Sequence, residues 1–213
     1  MKKTTYKQNI KFCKNDLTND LMHNYQDSNY IAIDTEAMGL IHGRDRLCLI
    51  QMCNEKGLTS CIKIDANCKS SNNIKKLCEN KNIQKIFHFA RFDIAALKCN
   101  LDINTENIFC TKIASKLART YTNKHGLKEL INELVGIELD KSSQCSDWGS
   151  QDNLSIDQIN YAANDVIYLI EAMQKLKDIL VREGRYELAQ RCFQSISVHA
   201  ELDIYKFSNI FEH

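Results

Sequence analysis

Tyr30-Ile31-Ala32-Ile33-Asp34-Thr35-Glu36-Ala37-Met38-Gly39-Leu40 decides how the rest of the chain is read. An apolar, β-prone run passes straight into two carboxylates spaced i and i+2, and then into a glycine turn. Alternate side chains of an extended strand share a face, so Asp34 and Glu36 point the same way. Two carboxylates at the end of a central strand are costly to bury unless a cation or a proton lies between them. A strand that ends in a solvated acidic turn is the alternative. The choice turns on whether further carboxylates of the right kind follow downstream.

Strand signals extend outward on both sides of this stretch. After a loop over Gly39–Asp45, Leu47–Cys53 reads as a second strand, Gly57 as a turn and Leu58–Ile64 as a third strand, so residues 30–64 form a meander. Upstream, residues 8–17 hold a short strand with Ile10 and Phe12 on one face, and residues 18–27 a helical connection. Downstream, Ser70-Ser71-Asn72 opens a helix that ends near Asn80. Lys85–His88 is a short buried strand before a helix over Ala90–Cys99, and Ile108–Cys110 a strand before a helix through Lys112–Arg119. Gly126–Leu134 is a further helix stopped by Gly136. Ser155 caps a long one, in which Ile156, Ile159, Ala163, Val166, Ile167, Ile170, Met173 and Leu176 keep the helical repeat. The expectation is an α/β fold with a mixed sheet flanked by helices, one domain over residues 1–213 with its core at about 28–180 and a helical tail at 181–213.

The totals narrow the function. With 44% hydrophobic and 26% charged residues the composition is that of a globular domain, and a net charge of +1 gives no global field for a long polyanion or an anionic membrane. No apolar signal segment follows Met1-Lys2-Lys3, and the apolar stretches are too short to span a bilayer. None of the 10 cysteines forms a C-x-x-C pair, and several sit inside apolar runs. Reduced, mostly buried thiols in a cytoplasmic protein are expected.

Two more acidic positions stand out. Asp93 falls early in the helix that follows Lys85–His88, where the helix dipole alone would favour it, yet Phe92 and Ile94 imply more burial than that role needs. Tyr161 and Asp165 lie one helical turn apart among Ala162, Ala163 and Val166, and no Lys or Arg occurs between Ser155 and Glu171. A bound cation would supply the missing positive charge; a hydrogen-bonded surface pair is the alternative.

D-x-E on a strand, an aspartate on a second element and Y-x-x-x-D on a late helix form an ordered set. It resembles the DEDDy family of 3′-to-5′ exonucleases, the ribonuclease D-like group. Asp34, Glu36, Asp93 and Asp165 match its carboxylates and Tyr161 its final letter. The likeness runs on through Asp140-Lys141, Ser146-Asp147-Trp148 and Tyr161–Val166, and covers about residues 28 to 180. Asp34–Leu40, Arg44–Cys48, Lys85–Ala95, Cys110–Ser115, Arg119–Thr122, Glu183–Arg185 and Glu187–Gln190 are similar to the short nanoRNase C group. The Arg-Pro that follows the tryptophan in long ribonuclease D enzymes is replaced by Gly149-Ser150-Gln151. Against the short group, Ala37 stands where threonine is usual and the 41–45 loop has no proline; neither change touches a carboxylate.

The resemblance implies a ribonuclease H-like (DnaQ-like) fold, no separate RNA-binding domain and a pair of Mg²⁺ or Mn²⁺ ions, which the all-oxygen ligand set favours over zinc. Asp34, Glu36 and Asp165 would hold one ion, and Asp34 with Asp93, through water, the other. The Tyr161 hydroxyl, with an ordinary pKa of about 10, would orient the attacking water. Short oligoribonucleotides, diribonucleotides above all, are the implied substrate; longer RNA or DNA is one alternative and a catalytically silent nucleic-acid-binding module another. The resemblance also implies assembly as a ring-like octamer. Met38, Gly39 and Leu40 follow the carboxylate pair and would meet the substrate, Leu40 as a wedge between bases or as an ordinary loop contact. His88 would touch the scissile nucleotide or serve structurally. Lys112, Lys116 and Arg119 recur on one helical stripe that either reads phosphate, faces a neighbouring subunit or is simply solvated. Trp148 would stack on a base or plug the core.

Overall fold

The computed structural model describes residues 10–139, 148–149, 154–207 and 210–211. Its centre is β2 (Tyr30–Ala37), the strand that carries Asp34 and Glu36. Antiparallel β3 (Leu47–Asn54) lies on one side of it and parallel β5 (Gln84–Phe87) on the other. β4 (Thr59–Lys63) continues the meander beyond β3, with β1 (Ile10–Lys14) parallel to it at one edge, and β6 (Ile108–Cys110) is parallel to β5 at the other. The six-stranded order is therefore β1-β4-β3-β2-β5-β6. All eight residues of β3 are buried, which is why it reads Leu-Cys-Leu-Ile-Gln-Met-Cys-Asn without polar alternation.

Nine helices appear among the described residues: α1 (Asn19–Gln26), α2 (Asn72–Cys78), α3 (Ala90–Leu101), α4 (Thr111–Ala118), α5 (Leu127–Val135), α6 (Ile156–Ile167), α7 (Leu169–Arg182), α8 (Tyr186–Gln194) and α9 (Ile196–Ile204). α3 makes the crossover between parallel β5 and β6. Gly136 ends α5 in the left-handed conformation, φ +78°, as the glycine after that apolar run led one to expect. Ser155 caps α6 reciprocally with Gln158.

The expected long helix from Ser155 to Leu176 is two helices, separated at Tyr168. α6 lies over β3 and β4, where Ala162 and Ala163 join Cys48, Leu49, Cys61, Trp148 and Leu154 in a small cluster. α7 packs instead on α4 and α5, with Leu169, Met173 and Leu176 in the main core. A continuous 3.6-residue repeat reports which residues are buried without reporting which surface they pack on or where the helix is interrupted.

α8 packs on β6 and α9 on α3. The Arg91 guanidinium forks the Asp203 carboxylate, Nε to Oδ2 at 2.5 Å and Nη2 to Oδ1 at 2.6 Å, and so ties the tail to the first turn of α3. Nine described cysteines are free thiols, six of them buried. No helix among the described residues is long and apolar enough to cross a membrane. Cys145 and the stretches Asp140-Lys141, Ser146-Asp147 and Ser150-Gln151 lie outside the described residues.

Candidate active site

β2 and α6 bring the carboxylates together. Asp34 and Glu36 project from one face of β2, where α6 crosses it, and Asp165 comes down from that helix. One carboxylate oxygen from each of the three can be chosen so that all lie within 4.8 Å of one another, and each side chain is half-buried. A β-bulge between Glu36 and Ala37 then shifts the register with β3 directly after the second carboxylate, and pairing resumes with Ala37 opposite Leu47.

Asp93 is not one of the three. It is buried in the first turn of α3, and its Oδ1 accepts a hydrogen bond of 2.7 Å from the Thr35 hydroxyl. Its charge still reaches the cluster. Burial first, then the charges of Asp93, Asp165 and Glu36, hold the Asp34 carboxyl well above the usual carboxylate range. Burial, followed by Asp165 and Asp93, pushes Glu36 up to about 8. Burial raises Asp165 to about 7, and raises Asp93 to about 7 against the opposing hydrogen bond from Thr35. Among the described residues no ion pair with Lys, Arg or His involves any of the four. Crowded oxygen donors with unneutralised charge, partly open to solvent, fit a hard divalent cation such as Mg²⁺ or Mn²⁺.

Tyr161 precedes Asp165 by one turn of α6, and its ring centroid is 6.4 Å from that of Trp148. Trp148 itself is 5% exposed and packed with Leu49, Cys61, Leu154 and Ala163. It plugs the small core under α6, and the reading of it as a base-stacking surface is corrected: its faces are already covered.

The turn after β2 is built around Asp45. Its carboxylate accepts from the Ile41 N–H at 3.0 Å and from the Arg44 guanidinium at 2.7 and 2.8 Å. A Cβ at residue 39 would fall 2.3 Å from Asp45 Oδ2, so Gly39 makes room for that brace rather than offering a side chain to a ligand. The brace orders the loop without a proline. Met38 and Leu40 stand out from it, 60% and 80% exposed, with the Met38 side chain lying across Gly149. Beside Leu40 opens a cavity of about 380 Å³, lined also by Ile41, His42, Phe89, Arg91 and Phe92. Phe89 was not foreseen. It holds φ +75° at the start of α3, half-exposed, with Lys112 Nζ 4.4 Å above its ring, and nothing in the spacing of the sequence marks a left-handed phenylalanine.

His88 follows β5. Its Nδ1 lies 3.0 Å from the Thr111 hydroxyl, which donates to the Phe87 carbonyl, so Nδ1 carries the proton. Burial, with Lys112 second, lowers its pKa to about 3, leaving a neutral ring whose buried Nε2 has no hydrogen-bond partner. Arg119 departs from the expected basic stripe. α4 ends at Ala118, and Arg119 turns inward, fully buried, to pair with Glu133 and to donate to Ser115 Oγ and the Lys124 carbonyl. Its guanidinium is occupied inside the subunit, so it is a structural pin and not a phosphate reader. Lys116 stays exposed.

A 3′-5′ exonuclease family model matches residues 10–181. DNA polymerase I of Aquifex aeolicus is 35% identical over 155 residues, 73% of this chain and 25% of its own. Ribonuclease D of Sphingobium indicum is 30% identical over 171 residues, 80% of this chain and 43% of its own. The chain thus spans less than half the length of these curated relatives. Brucella melitensis NrnC bound to pGG superposes with a TM-score of 0.90 at 44% identity, covering 96% of this chain and 98% of that one. The same protein with bound Mg²⁺ gives 0.89 at 43%. Full-length agreement with NrnC bears out the likeness read from the carboxylate set: the chain belongs to the 3′-5′ exonuclease family and, within it, to the ribonuclease D-like group that includes NrnC.

Proposed function

We propose that this protein is a divalent-metal-dependent 3′-5′ exoribonuclease that hydrolyses short oligoribonucleotides, diribonucleotides foremost, to mononucleotides. One observation carries the reading: Asp34, Glu36 and Asp165 converge within 4.8 Å with Asp93 beside them and no described basic side chain paired to any of the four. Brucella NrnC, alike along its whole length, has been seen both with pGG and with Mg²⁺, and this supports the substrate class and the metal.

Asp34, Glu36 and Asp165 would hold one ion, and Asp34 with Asp93 the second. Such a pair supplies, when bound, an activated water and neutralisation of the charge on the phosphate and the leaving 3′-oxygen. The protein's own part is placement. β2 and α6 fix three carboxylates with little freedom, and Thr35 fixes the fourth. Tyr161 presents its hydroxyl one turn from Asp165 and orients the water. Met38 and Leu40 stand at the mouth of the site to meet the nucleobases. A net charge of +1 suits a short substrate better than a long polyanion, whose binding draws on many phosphate contacts.

The ribonuclease D and polymerase relatives support a second reading, a general 3′-5′ exonuclease on longer RNA or DNA. Turnover of 5′-phosphorylated two-mers against seven-mers decides between the two. Much faster cleavage of the two-mer is expected, and equal rates would remove the dinucleotide preference. Self-association, as a homo-octamer, belongs to the same proposal. It is supported by the exposed apolar side chains of Tyr205, Phe207, Ile210 and Phe211 at the end of the chain.

A further inference from the structure

The register of the sheet places one more polar side chain on the carboxylate face. Gln51 is directly opposite Asp34 across β2 and β3, and directly opposite Cys61 across β3 and β4. Opposed residues of an antiparallel ladder project from the same face with Cβ atoms about 5 Å apart. Gln51 is fully buried, and neither Oε1 nor Nε2 of its carboxamide has a hydrogen-bond partner. Folded proteins seldom leave both ends of a buried amide unmatched. Asn54, three residues on, shows the usual outcome: its Nδ2 donates to Ser28 Oγ, and its Oδ1 accepts from the Lys56 and Leu58 N–H groups.

The surroundings narrow what Gln51 is for. The Cys61 thiol turns toward the Ile159 carbonyl at 3.9 Å. Along β3 the neighbours on the same face are Leu49 and Cys53, and the Cys53 thiol is engaged with the Asn54 carbonyl and the Thr59 hydroxyl. The helix that covers the row, α6, contributes Ala162 and Ala163 to this cluster. The polar group directly opposite is the Asp34 carboxylate, the member of the cluster with the most acidic neighbours bearing on it, while Glu36 and Lys63 lie on the same face two residues further along β2 and β4.

We infer that Gln51 is a positioning residue for the metal centre. In the ion-loaded protein its amide Nε2–H donates to the Asp34 carboxylate and holds it in the orientation that serves both cations, while Oε1 accepts from water in the site. The unmatched amide is thereby available for a contact made when an ion draws the carboxylates together. The inference rests on the divalent-metal reading above.

Gln51→Met tests it, because methionine keeps the length and volume and removes both polar ends. By calorimetry, Mn²⁺ should bind this variant at least ~10-fold more weakly, the usual range for removal of a group that orients a metal ligand. Its metal-free thermal midpoint should equal or exceed that of the wild type, since two unmatched atoms are gone. Unchanged Mn²⁺ affinity would overturn the inference. A wild-type crystal grown with Mn²⁺ gives a check that does not depend on any variant folding. Nε2 within hydrogen-bonding distance of Asp34 is expected, and a carboxamide turned away from it would overturn the proposal. Asp34→Ala separates the two levels. If the wild type binds no Mn²⁺, the metal reading fails and this inference with it. If the wild type binds, Asp34→Ala does not, and Gln51→Met binds normally, only the role of Gln51 fails.

Discussion

At Asp34 the site is held in tension. Buried carboxylates that raise one another's proton affinity store repulsion, which a proton or a cation relieves. Asp34→Ala or Asp165→Ala should abolish Mn²⁺-dependent cleavage while the protein stays folded, with a metal-free thermal midpoint at pH 8 no lower than that of the wild type. Undiminished hydrolysis in either variant would refute the metal assignment. The same tension sets a pH dependence. In the metal-free fold Glu36, Asp93 and Asp165 titrate near 8, 7 and 7, above their unfolded values, so the native state holds protons that the unfolded chain has released. Stability from these groups is full below about pH 4 and is lost as pH rises through 7 to 8. A melting series in chelator should therefore fall from pH 5 to pH 8, and added Mn²⁺ should flatten it. A flat series in chelator would show that the fold does not raise these carboxyls as described.

At the scale of elements, placement depends on how α4 and α6 begin and end. The Ser155 cap fixes the start of α6, nearly three turns before Asp165. Ser155→Ala should cost about 1 kcal/mol, which lowers the midpoint of a chain of this size by roughly 2–4 °C, and should weaken Mn²⁺ binding through Asp165. Arg119 lies at the end of α4, its side chain fully buried against a Glu133 that is 40% exposed. Breaking a fully buried pair costs more than breaking one open to water, so Arg119→Met should lose about 2 kcal/mol of stability. KM for a two-mer should stay unchanged, and a raised KM with unaltered stability would return Arg119 to the substrate. These two elements also show where the sequence misleads. An i, i+4, i+7 spacing holds only while the helix lasts, and α4 stops one residue before Arg119. An unbroken apolar repeat likewise passed through Tyr168 without revealing that the helix is interrupted there.

For the whole molecule, the tail tied by Arg91 to Asp203 leaves aromatic residues at the chain end facing outward. Light scattering should give a mass several times the 24.6 kDa of one chain, and Phe207→Ser with Phe211→Ser should lower it. A monomeric wild type would remove the assembly proposal. What the linear chain determined alone is the list of parts. A strand run that ends in D-x-E, the meander after it, the capped helix carrying Tyr161 and Asp165, and the carboxylate set are all legible, because backbone periodicity and residue chemistry are local properties. Only the tertiary structure decided which side chains meet. It chose Thr35 as the partner of Asp93, buried Arg119 and Trp148, braced Gly39 against Asp45, and set Gln51 beside Asp34. Such pairings depend on strand register and on where helices cross the sheet, and no short window of sequence contains either.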